Sequence, residues 1–204
     1  MMLNKNGYIV TENLPLFPLG IIVLPGETRF LHIFEQRYKN LFEDLEKFEN
    51  KFGIPFVMNR EVINKGSFVK LERVLAKYPN GELDIAVKGI DIISIKNYKL
   101  QHPDRFYPYG DIETLNKDKI IASNKLLGAF EKYNEKVLKL DLKQYPKVNF
   151  YLIANSIGLN DTEKYHMLIS ENEAEINKTL LNHLRLRTIL AQQHKSLMDY
   201  YCLN

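Results

Sequence analysis

Leu14-Pro15-Leu16-Phe17-Pro18-Leu19-Gly20-Ile21-Ile22-Val23-Leu24-Pro25-Gly26-Glu27-Thr28-Arg29-Phe30-Leu31-His32-Ile33-Phe34-Glu35-Gln36-Arg37-Tyr38 is the stretch on which the reading of this chain turns. Pro15 and Pro18 lack a backbone donor, so a strand there is an edge strand or a strand start. Ile21 to Leu24 is a short β-branched-rich run and is expected to be a buried strand. Pro25-Gly26 reads as a turn, with φ fixed at the first residue and free to be positive at the second. Arg29 to Phe34 is expected to be extended again. From Glu35 the period becomes helical: Tyr38, Leu41, Phe42, Leu45 and Phe48 share a face, and Gly53 is expected to stop the helix. Leu16, Phe17, Leu19, Ile33, Phe34, Tyr38, Leu41 and Phe42 are the expected core of this part.

Three blocks in this stretch carry a resemblance. Leu14 to Gly20, the Leu24-Pro25-Gly26 turn, and His32-Ile33-Phe34-Glu35 with Arg37-Tyr38 resemble, in order and spacing, the amino-terminal domain of the Lon ATP-dependent proteases. Gln36 departs from the pattern, because the family usually has proline there. The resemblance implies a β pseudo-barrel similar to the PUA fold with one helix packed into it. It also implies a following helical bundle and a role in recognising polypeptide.

The residues beyond the first helix read as β. Ile54 to Met58 is a short apolar strand, and Phe68 to Lys77 is extended. Tyr78-Pro79-Asn80-Gly81 is a hairpin signal. Leu83, Ile85 and Val87 alternate with Glu82, Asp84 and Lys88, which puts one face in a core and one in water. Gly89 marks a bend or bulge. Ile90 to Ile95 and Tyr107 to Thr114 complete the set, and such spacing suggests a small closed or half-closed barrel. The Gly81 tip, Gly89 and the Tyr107-Pro108-Tyr109 strand resemble the family in outline, whereas Ile92-Ile93 stands where many members have Arg-Phe.

The period is helical from Asn116 almost to the end. Ile120, Ile121, Leu127, Phe130, Tyr133 and Val137 mark one helix. Pro146 opens a second, which Gly158 closes. Asn160-Asp161-Thr162 caps a third, and Ser170 with Glu173 is a capping-box pattern. Ile176, Leu180, Leu184, Ile189 and Leu197 give the last helix its stripe. The expected fold is α+β: a Lon-type PUA-like β domain over 1–116 and a helical bundle over 117–204.

With 45% hydrophobic and 26% charged residues, the 204-residue chain has the balance of a globular protein. A net charge of +3 gives little attraction to nucleic acid or to an anionic membrane unless it is clustered. The alternating charges from Lys132 to Lys147 read as a solvated helix face. The single cysteine, Cys202, cannot close an internal disulfide. Met1 to Glu12 is too polar for a signal peptide, and no apolar run is long enough to span a membrane. The expected location is the cytoplasm.

No catalytic apparatus is legible. The phosphate-cradling spacing Gly-x-x-x-x-Gly-Lys-Ser/Thr does not occur. Ser67 and Ser196 have lysines nearby (Lys65, Lys70, Lys195) but no accompanying motif. His183 and His194 fall on one helix, ~16 Å apart at ~1.5 Å per residue, too far to share an ion. His32 reads either as a hydrogen-bonded histidine at the edge of the core or as a pH-sensitive contact. No catalytic residue, metal or cofactor is expected, nor ATP hydrolysis or proteolysis by the chain itself.

The expected function is therefore that of a non-catalytic module that binds unfolded or tagged polypeptide, or a partner protein, in proteolysis or quality control. The alternative is an RNA-binding protein with a PUA-like β domain, although nucleic acid is not the expected partner. A polypeptide-binding surface needs aromatic area with hydrogen-bonding groups at its rim. The candidates are Arg29, Phe30, Tyr78, Arg105, Phe106, Tyr107 and Tyr109. The last three aromatics also read as core and rim of the β domain. The sequence carries no signal for an oligomeric state.

Overall fold

The structure, a computed structural model, describes residues 2–3, 9–101, 106–115, 122–145, 148–170 and 172–202. It divides into two compact units, Met1–Lys117 and Asp118–Asn204. Asn116 to Ile121, expected to hold the linker and the start of a helix, lie outside the described residues, as does Pro146.

The first unit is one antiparallel sheet with strands β1 (Met2–Leu3), β2 (Ile9–Pro15), β3 (Thr28–Ile33), β4 (Lys51–Met58), β5 (Glu61–Lys77), β6 (Leu83–Lys99) and β7 (Tyr109–Thr114). Their order is β1-β2-β7-β6-β5-β4, and β3 pairs with β6. The ends of this path approach each other. Beyond β2, Leu16 bridges to Gly53 and Leu19 to Phe56, both in parallel sense. Phe17 N–H donates to Gly53 O (2.8 Å), Leu19 N–H to Pro55 O (3.1 Å) and Val57 N–H to Leu19 O (2.8 Å). Pro55 has no N–H to give to Phe17 O between them, so the seam stays a pair of bridges rather than a ladder. The result is an unclosed barrel, the pseudo-barrel that the sequence predicted.

One helix, α1 (Gln36–Asp44), fills the barrel. Tyr38, Leu41 and Leu45 pack with Phe17, Ile33, Phe52, Ile54, Val69, Ile85 and Val87 in one buried cluster. Phe17 lies 4.1 Å from the Tyr38 ring, centroid to centroid. A second cluster joins Leu14, Leu16, Phe68, Ile93, Ile95 and Ile112.

Three expectations need correction here. Ile21 to Leu24 is not a strand, although Ile22, Val23 and Leu24 are buried. Side chains hold its backbone in place of a ladder: Val23 N–H donates to Ser67 Oγ (2.8 Å) and Leu24 N–H to Glu27 Oε2 (2.9 Å). Gly53 does not stop the helix. A short 3-10 turn, Leu45–Phe48, follows α1, and Glu49 and Asn50 reverse the chain in left-handed conformations. Gly53 sits inside β4, where an added Cβ would lie 2.5 Å from the Leu16 side chain. Phe34 is not core: it is 59% exposed. Residues alternate across a strand, so once Ile33 points inward Phe34 points outward.

The second unit is helical: α2 (Asn124–Tyr133), α3 (Phe150–Ser156), α4 (Asp161–Ile169) and α5 (Glu173–Cys202). Ser123 Oγ accepts from Leu126 N–H to cap α2. Asn160 and Glu163 form the capping box of α4. Among the described residues the start of α5 does not show the box expected from Ser170 and Glu173. Asn172 accepts from Ala174 N–H instead, and the Ser170 hydroxyl donates to Glu175 Oε2. After α2 the chain widens into a π turn, Asn134–Leu138, and the buried Asn134 amide bonds both the N–H and the carbonyl of Leu140. Leu126, Phe130, Ile153, Met167, Ile176, Leu180 and Leu184 are buried. On α5 the stripe is buried through Leu184, Ile189 is exposed, and the side chain of Leu197 lies outside the described residues.

Candidate functional site

β3 is short, pairs only with β6 among the described strands, and alternates strictly. Ile33 faces the core, while Thr28, Phe30 and His32 face water. Phe34 continues the outward row before α1 begins. Phe30 is 67% exposed. The antiparallel register sets His32 opposite Asp84 and Phe30 opposite Ala86 on β6.

The turn between β5 and β6 completes this face. Gly81 takes φ +80, which a side chain would strain, and Tyr78 N–H donates to Glu82 O (2.9 Å). Lys39 of α1 donates to Asn80 O (2.8 Å) and braces the tip. The fixed turn delivers Tyr78 to the β3 face. Its hydroxyl donates to Asp84 Oδ2 at 2.6 Å, and its ring meets His32 edge-on at 6.0 Å between centroids. His32 Nδ1 lies 2.7 Å from Asp84 Oδ1 and Nε2 lies 3.3 Å from Glu82 Oε2. On its other side the imidazole stacks over Phe34, with centroids 6.1 Å apart. Thus one bonded network orders the rings of His32 and Tyr78, and Phe34 stacks against the first of them.

The network shifts its own titrations. The Asp84 carboxylate, with Glu82 adding to it, holds the His32 imidazole above its ordinary value of 6.5. The Tyr78 hydroxyl and then His32 hold the Asp84 carboxyl below its ordinary 3.8. The same bond to Asp84 raises the Tyr78 phenol above 10.0. The stability that the pair contributes is fully present below 6.5 on the histidine side and is lost as pH rises through the raised His32 value. On the acid side it is present above 3.8 and is lost as pH falls through the lowered Asp84 value. An NMR titration of His32 is therefore expected to show a midpoint above 6.5 that falls in Asp84→Asn. A midpoint at or below the ordinary value would mean that the pair does not form.

The other sequence-predicted residues divide. Arg29 is half-buried and pairs with Glu27, Nε to Oε1 2.8 Å. Phe106 is 66% exposed and makes no ring contact with the β3 face among the described residues. Tyr107 and Tyr109 do not belong to an exposed surface. Tyr107 is 1% exposed, and its hydroxyl donates to Asp44 Oδ2 (3.0 Å) at the end of α1. Tyr109 is buried in β7, with Lys99 lying 5.5 Å above its ring. Burying the ring while bonding the hydroxyl is how a tyrosine serves a core. Arg105 lies outside the described residues. The residues that sequence reasoning left out of the site are Phe34, His32, Glu82 and Asp84. The outward parity of β3 was the signal for the first two.

The description of one protein family fits the whole of this arrangement, from the β2 seam into α5. The family model for the ATP-dependent protease La (LON) substrate-binding domain matches residues 13–185. The chain belongs to that family. Two solved structures share the Lon-type fold. The Lon N-terminal domain protein from Xanthomonas campestris aligns with a TM-score of 0.62 and 23% identity, covering 89% of this chain and 98% of that one. The N-terminal domain of the Mycobacterium avium complex Lon protease aligns with a TM-score of 0.62 and 13% identity, covering 85% and 98%. At these identities the two structures show the fold alone. Comparison with curated proteins finds no match.

In this Lon-type domain Tyr78 also borders a groove of about 290 Å³ on the α1 side of the hairpin tip. Phe42, Leu71, Val74 and Leu83 give the groove an apolar floor, with Lys39 and Lys77 among its polar lining. Among the described residues no group of His, Cys, Asp and Glu is placed to hold a metal ion. No described helix is long and apolar enough to cross a membrane.

Proposed function

We propose that the chain is a non-catalytic module that binds extended, unfolded polypeptide on the outward face of β3. The observation that carries this reading is the exposed row of Phe30, His32 and Phe34 along and just past the edge strand β3, with Tyr78 of the β5–β6 turn against His32, in a substrate-binding-family fold. Unfolded chains present apolar side chains and an unpaired backbone rather than a fixed charge pattern, so aromatic area beside an edge strand suits them. The bonds from His32 and Tyr78 to Asp84 order two of the rings before the ligand arrives, which lowers the entropic cost of contact. Proteolysis and protein quality control are the setting that this activity serves. The partner is a polypeptide substrate or an unfolded partner protein.

The test is a titration with a reduced, carboxymethylated protein that cannot fold. Binding is expected to be weak and saturable, because ordering the ligand opposes it. The double variant Phe30→Ala/Phe34→Ala is expected to bind at least ~10-fold more weakly with its circular dichroism unchanged, since both rings are exposed. Absence of binding to any unfolded polypeptide, or saturable salt-sensitive binding to single-stranded RNA in its place, would overturn the reading.

A further inference from the structure

The helical unit carries a second surface that the β3 face does not explain. A groove of about 410 Å³ runs between α2 and α5. Ala129 and Tyr133 of α2 and Leu184 and Ile189 of α5 give it an apolar lining. Three cations stand at the same groove: Lys132 near the end of α2, Lys136 in the π turn that follows it, and Arg185 on α5. Among the described residues no carboxylate lines it. Among the described residues none of the three cations has an ion-pair partner. The lysines therefore do more than alternate with glutamates along a wet face, since Glu131 and Glu135 take no part in the lining. Leu186 and Leu190, also on α5, are about half exposed.

We propose that this groove docks an amphipathic helical segment of a partner polypeptide, apolar on the buried face and bearing Asp or Glu along its flanks. Charge complementarity chooses the occupant: three unpaired cations around an apolar floor match carboxylates around an apolar ridge. The shape chooses a polypeptide over an anionic membrane. The apolar surface at the floor is concave and lies between two helices, where a third helix can seat. A bilayer takes a projecting apolar edge instead. The site lies wholly within the second unit and does not depend on the reading of β3.

The test uses the full chain and a labelled designed peptide, helical, with Leu along one face and Glu on both flanks. Saturable binding that weakens with added salt is expected. The charge-reversal variants Lys132→Glu, Lys136→Glu and Arg185→Glu are each expected to weaken it by roughly 10-fold or more. Ala129→Trp, which fills the floor, is expected to abolish it, with circular dichroism and the unfolding midpoint reporting that the helices remain. The same peptide with Lys in place of Glu is expected not to bind. Equal binding of the Glu and Lys peptides would overturn the proposal. So would binding to phosphatidylserine–phosphatidylcholine vesicles without peptide binding, or self-association that the same variants remove without peptide binding.

Discussion

Replacing Gly89 by alanine is expected to destabilise the β unit by about 3 kcal/mol, the upper end of the ordinary cost of overpacking. A Cβ on Gly89 would lie 2.1 Å from Leu24 O and 2.7 Å from Leu24 C. Both are backbone atoms, so no flexible side-chain tip can swing aside. Nor can the loop retreat freely. Gly26 N–H donates to Gly89 O (3.0 Å), Gly89 N–H to Glu27 O (2.9 Å) and Glu27 N–H to Leu24 O (2.9 Å). Urea unfolding followed by circular dichroism measures the loss, with Gly128→Ala as the contrast. Gly128 lies inside α2 with nothing within 4 Å of its added Cβ. There alanine is expected to stabilise by about 0.5–1 kcal/mol through lower chain entropy. An unchanged urea midpoint in Gly89→Ala would show that the loop does not press on β6.

Phe52→Ala is expected to cost about 3–5 kcal/mol, the usual loss for a buried phenylalanine. The ring is fully buried where α1 meets the sheet, edge-on to Phe42 at 5.4 Å between centroids. Tyr38, Leu41 and Leu45 share its cluster, so removing it opens a cavity between helix and sheet. Phe34→Ala is the matched control and is expected to move stability by no more than about 0.5 kcal/mol, because that ring lies on the outer face. Equal losses in the two variants, by the same urea measurement, would refute the assignment of inner and outer faces.

That pair of phenylalanines also shows how far the sequence could be read. Leu14 to Tyr38 identified the family and the order turn, strand, helix from Pro25 onward, because proline, glycine and the change of period are local signals. Assigning both Ile33 and Phe34 to the core failed on a rule available in the sequence, since neighbours on a strand cannot share a face. Ile21 to Leu24 failed for another reason. Hydrophobicity reports burial, but only partners such as Ser67 and Glu27, distant or irregular, decide whether a buried backbone joins a ladder. At the candidate site Phe30 and Tyr78 were legible as exposed aromatics. Their junction was not, because it depends on a register that sets His32 against Asp84 across the sheet. Tyr107 and Tyr109 show the converse: an aromatic-Pro-aromatic strand looks the same whether its hydroxyls meet water or Asp44.

The seam has a consequence for how the chain assembles as it is made. The residues around Leu16 have two sets of partners. Gly53 and Phe56, with the backbone of Pro55 and Val57, leave the ribosome early. Tyr109 and Gly110, which pair with Pro15 and Leu14, leave it much later. The weaker pairing is thus available first, and the longer ladder that holds β2 in the finished sheet must wait for β5, β6 and β7 to be synthesised. Two isolated bridges are too few to hold the opening stretch during that interval, so its place in the sheet becomes firm only when β7 pairs with it. The barrel is in this sense laced from its earliest residues and tightened last, at the strand that arrives last.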